Sequence, residues 1–171
     1  MKSRIVSLLS ILLFVSMSLL GCGDGAGETP DPGSNSGTEG EDEPFVSLCE
    51  STPDIDTWSQ TAITRTGENY SLQLTAISPE PWSVGDNDWR IAVTGSAGES
   101  VDGVSLFVTP YMPDHGHGVS PPLYNGVLAD DGVFDVETFN LIMPGFWEMT
   151  VTVRSSDLPD EAIAFRICVE S

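Results

Sequence analysis

The chain is poor in basic residues: six of its 171 residues are Lys or Arg, against 26 Asp and Glu. Two of the six, Lys2 and Arg4, lie in an N-terminal segment that is predicted to be removed. Four arginines then face the same 26 acidic residues, which gives a net charge of −22. Nucleic-acid binding depends on clustered Lys and Arg that contact phosphates. The composition therefore excludes a nucleic-acid partner and disfavours anionic lipid headgroups.

The sequence also lacks helical periodicity and the motifs of common enzyme classes. No window after residue 21 repeats apolar residues at the 3.6-residue period of an amphipathic helix. There is no phosphate-binding loop, no dinucleotide fingerprint after a strand, and no serine in a nucleophile elbow. Asp114 precedes His115 directly, and neighbours in sequence do not face each other as a catalytic dyad requires. We predict that the protein is not an enzyme.

The N-terminus has the layout of an export signal. Lys2 and Arg4 precede an apolar run from residue 5 to residue 20, which is short for a membrane span. The run ends in Leu-Leu-Gly-Cys22, which resembles the lipobox of bacterial lipoproteins. The resemblance implies that residues 1–21 are removed and that acylated Cys22 anchors the protein to a membrane. The alternative is an ordinary signal peptide followed by an unmodified cysteine.

The residues after the predicted lipidation site have the composition of a linker. Residues 22–44 are rich in Gly, Pro, Ser, Thr and acids and contain almost no large apolar side chain. Such a stretch buries too little surface to offset the entropy of ordering, so we expect an acidic, disordered tether. Gly23 follows the cysteine, and in enteric-type lipoproteins a residue other than Asp there permits transfer to the outer membrane. We expect the cell envelope, with the outer membrane's periplasmic side favoured.

The chain has three cysteines, and assigning Cys22 to lipid leaves Cys49 and Cys168. An exported chain meets an oxidising compartment, so we predict that these two form a disulfide. In the chain-entropy model, closing this long loop stabilises the fold by about 4 to 5 kcal/mol. The alternative is two buried free thiols. A soft-metal site at these cysteines is disfavoured, because neither has a histidine or another cysteine nearby in sequence.

Apolar residues recur at every second position over most of residues 45–171, the pattern of β-strands with one face in a core. The runs are Tyr70-Leu72-Leu74-Ala76, Trp89-Ile91-Val93, Val104-Leu106-Val108, Phe134-Val136, Trp147-Met149-Val151-Val153 and Ile163-Phe165-Ile167-Val169. Turn residues separate them. We predict an all-β domain, an immunoglobulin-like antiparallel β-sandwich of about seven strands in two sheets.

One predicted turn, Gly85-Asp86-Asn87-Asp88, has two interpretations. Its two carboxylates and one amide are oxygen ligands of the kind that calcium prefers. The segment lacks the alternating spacing and the distant bidentate Glu of an EF-hand loop, so a turn held by an Asx side chain is favoured.

Both histidines of the chain lie in one Gly/Pro-rich segment, Tyr111-Met-Pro-Asp-His-Gly-His-Gly118. His115 and His117 are two residues apart, so a looped backbone lets their imidazoles converge. Imidazole together with the thioether of Met112 suits copper better than calcium or magnesium. Met143 and Met149 are further sources of sulfur if the following strands bring them close. The alternative is a solvent-exposed turn whose histidines bind nothing.

The histidine segment and a later Met-Pro-Gly-Phe-Trp147 strand resemble the YtkA-like family and its relative FixH. The resemblance covers about residues 70–153. It implies a small exported β-sandwich with Met112, His115 and His117 as candidate copper ligands, and a copper-protein or respiratory-oxidase assembly partner. Two features depart from the family: His115 stands where many relatives have a second Met, and a lipobox replaces a transmembrane helix.

A second function class stays open from the sequence alone. The protein is then a structural, adhesive or ligand-binding envelope module whose histidine loop is merely polar. The four tryptophans would form a sugar-stacking face in that case. We expect Trp89 and Trp147 to lie in the core instead, because they are in phase with apolar strand positions.

Overall fold

Residues 47–170 are the part of the chain that the structure, a computed structural model, describes. They form one short helix and ten strands: α1 Leu48–Ser51, β1 Ile63–Thr66, β2 Tyr70–Ser78, β3 Gly85–Gly95, β4 Ser105–Met112, β5 His117–Gly118, β6 Tyr124–Asp130, β7 Val133–Val136, β8 Phe139–Leu141, β9 Gly145–Arg154 and β10 Glu161–Val169. The predicted signal peptide (1–21), the lipidated Cys22, the linker (22–44) and residues 45, 46 and 171 of the predicted domain lie outside the described residues. No helix within residues 47–170 is long and apolar enough to span a membrane.

The strands pair antiparallel in the order β1-β2-β3-β7-β6-β4-β9-β10, while β5 pairs with β4 and β8 with β3. The all-β prediction is confirmed, and the strand number is ten in the described part rather than about seven. The two layers are also hydrogen-bonded to each other, because β6 pairs with β4 at its start and with β7 along the rest of its length. The predicted pair of sheets is therefore one continuous sheet folded over a common core.

The core lies between the two layers and is filled by the alternating apolar residues. Trp89 of β3 contacts Phe165 of β10 edge-to-face, with ring centroids 5.8 Å apart. Trp147 and the alternate residues that follow it on β9 are fully buried, as predicted. Edge-to-face packing of large rings is favourable in itself, and these rings bury much apolar surface. Hydrophobic burial across the layers therefore holds the fold together.

A bulge in β2 shifts one predicted core position. The register of β2 against β3 slips between Leu74 and Ala76, where Ala76 opposes Arg90 and Ile77 opposes Trp89. Because a bulge inserts one residue and reverses the side-chain alternation, Ile77 is buried and Ala76 is only half-buried. The prediction that Ala76 faces the core was wrong for this reason.

The predicted turn at residues 85–88 is the start of strand β3. Asn87 is buried there, and its side chain donates to the carbonyls of Ser83 and Gly85, both at 2.8 Å, and accepts from the Ser83 N–H at 3.2 Å. The bend lies earlier, at Gly85, whose φ of +106° favours glycine. The side-chain amide of Asn87 thus stabilises the bend at the start of β3 through these hydrogen bonds. This favours the turn interpretation of the segment over a calcium site.

The disulfide between Cys49 and Cys168 joins α1 to the end of β10, with Cα atoms 5.8 Å apart. The predicted pairing is confirmed. Val169 of β10 opposes Gly145 at the start of β9, and Tyr111 near the end of β4 opposes Glu148. The end of β4, the start of β9, the end of β10 and helix α1 therefore meet at one end of the sandwich, which we call the loop end.

Candidate metal site at the loop end

The predicted ligands lie on a tight hairpin at the loop end. Strand β4 ends at Met112 and β5 begins at His117, and these two residues oppose each other across the hairpin. The N–H groups of His115 and Gly116 donate to the carbonyl of Met112, at 3.2 and 2.9 Å. Gly116 has a φ of +66°, a conformation that glycine adopts without strain. Because directly opposed residues point to the same face, the side chains of Met112 and His117 lie side by side.

The two imidazole rings are close enough to share one metal ion. The ring centroids of His115 and His117 are 5.8 Å apart, and the planes are inclined by 44°. A metal bound to imidazole lies about 2 Å from the nitrogen and hence about 3 Å from the ring centroid, so two rings on one ion have centroids up to about 6 Å apart. The observed separation fits this limit. The centroid separation is therefore compatible with two nitrogen ligands on one ion.

The surroundings of His117 leave one ring nitrogen available. Its Nδ1 lies 3.0 Å from the carbonyl oxygen of Gly118. A carbonyl oxygen only accepts hydrogen bonds, so Nδ1 carries the proton in this contact. In the neutral ring Nε2 then keeps its lone pair, the arrangement of histidines that bind metals through Nε2. The half-buried ring packs edge-on against Trp147, with centroids 6.3 Å apart, which restricts its orientation.

The side chain of Met112 is covered by the fold, unlike the two histidines. Met112 is 1% exposed, whereas His115 is exposed and His117 is half-buried. Its terminal methyl packs onto Gly145, where an added β-carbon would come within 2.5 Å of it. Met112 is therefore a buried candidate ligand on the same hairpin as the two histidines.

A model of the YtkA-like family matches residues 65–152, slightly more than half of the chain. The chain belongs to the YtkA-like family. Among solved structures, a DUF4426 family protein from Pseudomonas aeruginosa PAO1 is 11% identical, with 63% of this chain and 96% of that chain covered and a TM-score of 0.43. No curated protein matches the chain with significance.

The match contains the whole histidine hairpin and most of β9, but it ends before β10 and begins after α1. The disulfide of this YtkA-like protein therefore joins two elements that both lie outside the matched region. Trp147 belongs to the matched part, and its indole N–H donates to the carbonyl of Met143 at 3.1 Å. The residue pattern favoured a core position for Trp147 over a sugar-stacking face, and the structure adds its contact with His117.

The YtkA-like domain offers few further ligands near the histidines. Within residues 47–170 no group of three or more His, Cys, Asp or Glu side chains is placed to hold a metal. Met149 is completely buried in the core, and Met143 is half-buried against it at the loop end. A site at this hairpin thus depends on two imidazoles and a thioether, a donor set that suits copper.

The other candidate sites are weaker in the structure. The carboxylate of Asp114 accepts a hydrogen bond from the N–H of Leu48 at 3.4 Å, so it has a partner in the backbone of α1. Trp82, Trp89 and Trp147 are buried and Trp58 is half-buried, so the four do not form an exposed sugar-stacking face. The core positions predicted for Trp89 and Trp147 are confirmed.

A surface cavity of about 350 Å³ lies away from the hairpin, and Arg90 and Asp135 line it. These two residues form a bidentate pair at 2.6 and 2.9 Å. The hydrogen bonds from Arg90 hold the pKa of the Asp135 carboxyl below its usual value. Because each charge already has its partner, the cavity presents no free charged group from this pair to a ligand.

Proposed function

We propose that this protein is a lipid-anchored protein of the bacterial cell envelope whose YtkA-like domain carries copper at His115, His117 and Met112. It acts as a carrier or accessory protein, not an enzyme, and delivers the metal to a copper protein such as a respiratory oxidase under assembly. The observation that carries the proposal is the pair of imidazoles 5.8 Å apart, with His117 Nδ1 tied to a carbonyl. The short distance between the rings supports the proposal that the two histidines share one ion.

The burial of Met112 supports a division of labour between the ligands. Cu(II) favours nitrogen ligands, which the two histidines supply at the surface, while Cu(I) also favours the softer thioether. The side chain of Met112 is shielded from solvent. We expect both oxidation states to bind through the histidines, with Met112 adding affinity mainly for Cu(I).

A metal titration tests this proposal. The chain after the signal, with Cys22 replaced by Ala so that its thiol does not compete, is titrated with Cu(I) and Cu(II) against a competing chelator. We expect one ion per chain, and loss of binding in His115→Ala/His117→Ala. Met112→Leu, which keeps the apolar volume and removes the sulfur, should weaken Cu(I) binding more than Cu(II) binding. Equal uptake by the wild type and the double variant would reject the site and favour the structural or adhesive alternative.

Fluorescence gives a second measurement of where the metal binds. Trp147 lies next to His117, so Cu(II) on the histidines should quench its emission. A Trp147→Phe variant should lose this part of the quenching while the stoichiometry is kept. Quenching that is unchanged in Trp147→Phe would place the ion elsewhere.

The membrane anchor is tested separately. Because a diacylated cysteine holds a protein on a bilayer, we expect the wild type in the membrane fraction and Cys22→Ala in the soluble fraction after export. Metabolic labelling with palmitate should mark the wild type alone. An exported Cys22→Ala protein that still sediments with membranes would contradict the anchor without affecting the metal site.

A further inference from the structure

Helix α1 is fastened to the loop end at two independent points. The disulfide ties Cys49 of α1 to Cys168, and Cys168 opposes Phe146 at the start of β9. The second point is the hydrogen bond from the N–H of Leu48 to Asp114 Oδ2, which joins residues 66 apart in sequence. The helix therefore connects β10 with the histidine hairpin.

Asp114 is well placed to pass this restraint to the histidines. It lies in the connection between Met112 and His117, directly before His115. The N–H groups of His115 and Gly116 bond back to Met112, so those contacts shape the turn locally. The bond from Leu48 instead ties the turn to another part of the fold. This hydrogen bond restrains the position of the whole turn relative to β9, where Trp147 contacts His117.

We propose that α1, held by the disulfide, is a positioning element for the metal site, that it acts through Asp114, and that opening the disulfide lowers the affinity for copper. This inference rests on the proposed function. A turn already held in place loses less conformational freedom when its two histidines close on an ion. Without the restraint, the turn loses this conformational freedom only when copper binds, which makes binding less favourable. We expect the affinity for copper to fall about tenfold.

The disulfide is chemically open to exchange. Both cysteines are half-buried rather than fully enclosed. A dithiol reductant would break the sulfur–sulfur bond, each cysteine sulfur gaining one electron and one proton while the dithiol becomes a disulfide. With the bond broken, α1 loses one of its two fixed points at the loop end and keeps the hydrogen bond to Asp114. Copper affinity would then respond to the thiol–disulfide balance of the compartment.

The first residue of α1 allows a sharp test. Leu48 follows the N-cap Ser47, which has φ −58° and ψ 141°. Proline is tolerated at this first helical position, and the residue before a proline prefers the extended conformation that Ser47 already has. Leu48→Pro therefore removes the N–H that Asp114 accepts while it keeps the disulfide and the helix start. Leu48→Ala, which keeps the N–H and removes the same side chain, is the matched control.

Copper(II) affinity is measured for the Cys22→Ala chain, residues 22–171, by competition with a chelator. We expect Leu48→Pro and Cys49→Ser/Cys168→Ser to bind about tenfold more weakly, and Leu48→Ala to bind like the parent. If the parent binds and both test variants bind equally well, the inference is overturned and the proposed function stands. If the parent takes up no copper, both are overturned.

A metal-free measurement separates positioning from general loss of stability. Amide hydrogen exchange in the copper-free protein should become faster at His115 and Gly116 in Leu48→Pro, while the amides of β9 keep their protection. Unchanged exchange in the hairpin would overturn the positioning role whatever the copper affinities are. Faster exchange throughout the domain would show a global loss of stability and would equally overturn it.

Discussion

Gly145 leaves room for the side chain of Met112. A β-carbon on residue 145 would lie 2.5 Å from the terminal methyl of Met112, and Gly145 has a φ of +126°. The backbone conformation favours glycine, and an added β-carbon would also displace the end of the Met112 side chain. The glycine of the Pro-Gly-x-Trp segment therefore provides the space that the terminal methyl of Met112 occupies.

We expect Gly145→Ala to destabilise the domain by about 2 to 4 kcal/mol, from backbone strain and overpacking together. The free energy of unfolding in urea measures this. Gly85→Ala is a matched control, because Gly85 has a φ of +106° and nothing within 4 Å of an added β-carbon. Its cost should come from strain alone and be smaller. Equal losses in the two variants would show that Met112 does not oppose the new methyl group.

Asp56 is a buried carboxylate that joins the segment before β1 to β10. It is 6% exposed, pairs with Arg65 at 2.8 Å, and accepts the N–H of Arg166 at 2.9 Å. Asp56→Ala leaves these donors without their acceptor, so we expect a loss of about 2 to 3 kcal/mol in thermal or urea unfolding. Asp160→Ala breaks an exposed pair with Arg154 and should cost under about 1 kcal/mol. A comparable cost for both would contradict the role of burial.

Glu161 makes one part of the stability depend on pH. Partial burial raises its pKa, but the N–H groups of Asn69, Glu68 and Tyr70 donate to its carboxylate and lower the pKa overall. A lowered folded pKa means that the contribution is complete above the ordinary glutamate pKa and disappears as pH falls through the folded value.

We expect Glu161→Gln to lose about 1 kcal/mol at pH 7, discounted for solvent screening. The difference from the wild type should shrink toward zero as unfolding is measured at successively more acidic pH. Glu80→Gln, at an exposed site, serves as the control and should be neutral throughout. A difference that stays constant down to pH 3 would contradict the assignment to the carboxylate charge.

The disulfide should contribute strongly to stability. Cys49 and Cys168 are separated by 119 positions, and the chain-entropy model gives about 4 to 5 kcal/mol for such a loop. Cys49→Ala/Cys168→Ala should therefore lower the urea midpoint markedly, and reduction of the wild type should lower it by a similar amount. A midpoint that changes by less than the error of the fit would mean that other contacts already hold the two ends together.

Much of the fold was predictable because burial acts on each strand locally. The alternation from Trp147 to Val153 requires one buried face whichever strands are its neighbours, and all four apolar positions are buried. The bulge that exchanges Ala76 for Ile77 was not predictable, because it depends on the register against β3. The sequence pattern predicted the bend held by Asn87 a few residues too late. The reason is similar: the hydrogen-bond partners of Asn87 depend on the path of the folded chain.

The candidate site divides in the same way. The spacing of His115 and His117 and the presence of Met112 were visible in the residue order, as was the pairing of the two cysteines that remain after Cys22. The orientation of His117 was not, because it depends on Trp147, which reaches it from another strand. The bond from Leu48 to Asp114 has no counterpart in any local pattern.

Composition and periodicity were thus sufficient for the chemical class of the chain: acidic, all-β, with its candidate metal ligands in one hairpin. These properties follow from the residue types and from residues that are close in sequence. The covalent chain keeps such residues near each other in any fold. The tertiary fold decided how deep Met112 is buried, which nitrogen of His117 is free, and that α1 touches the hairpin. Each of those depends on contacts between residues far apart in sequence, and only packing of the complete sandwich brings such residues together.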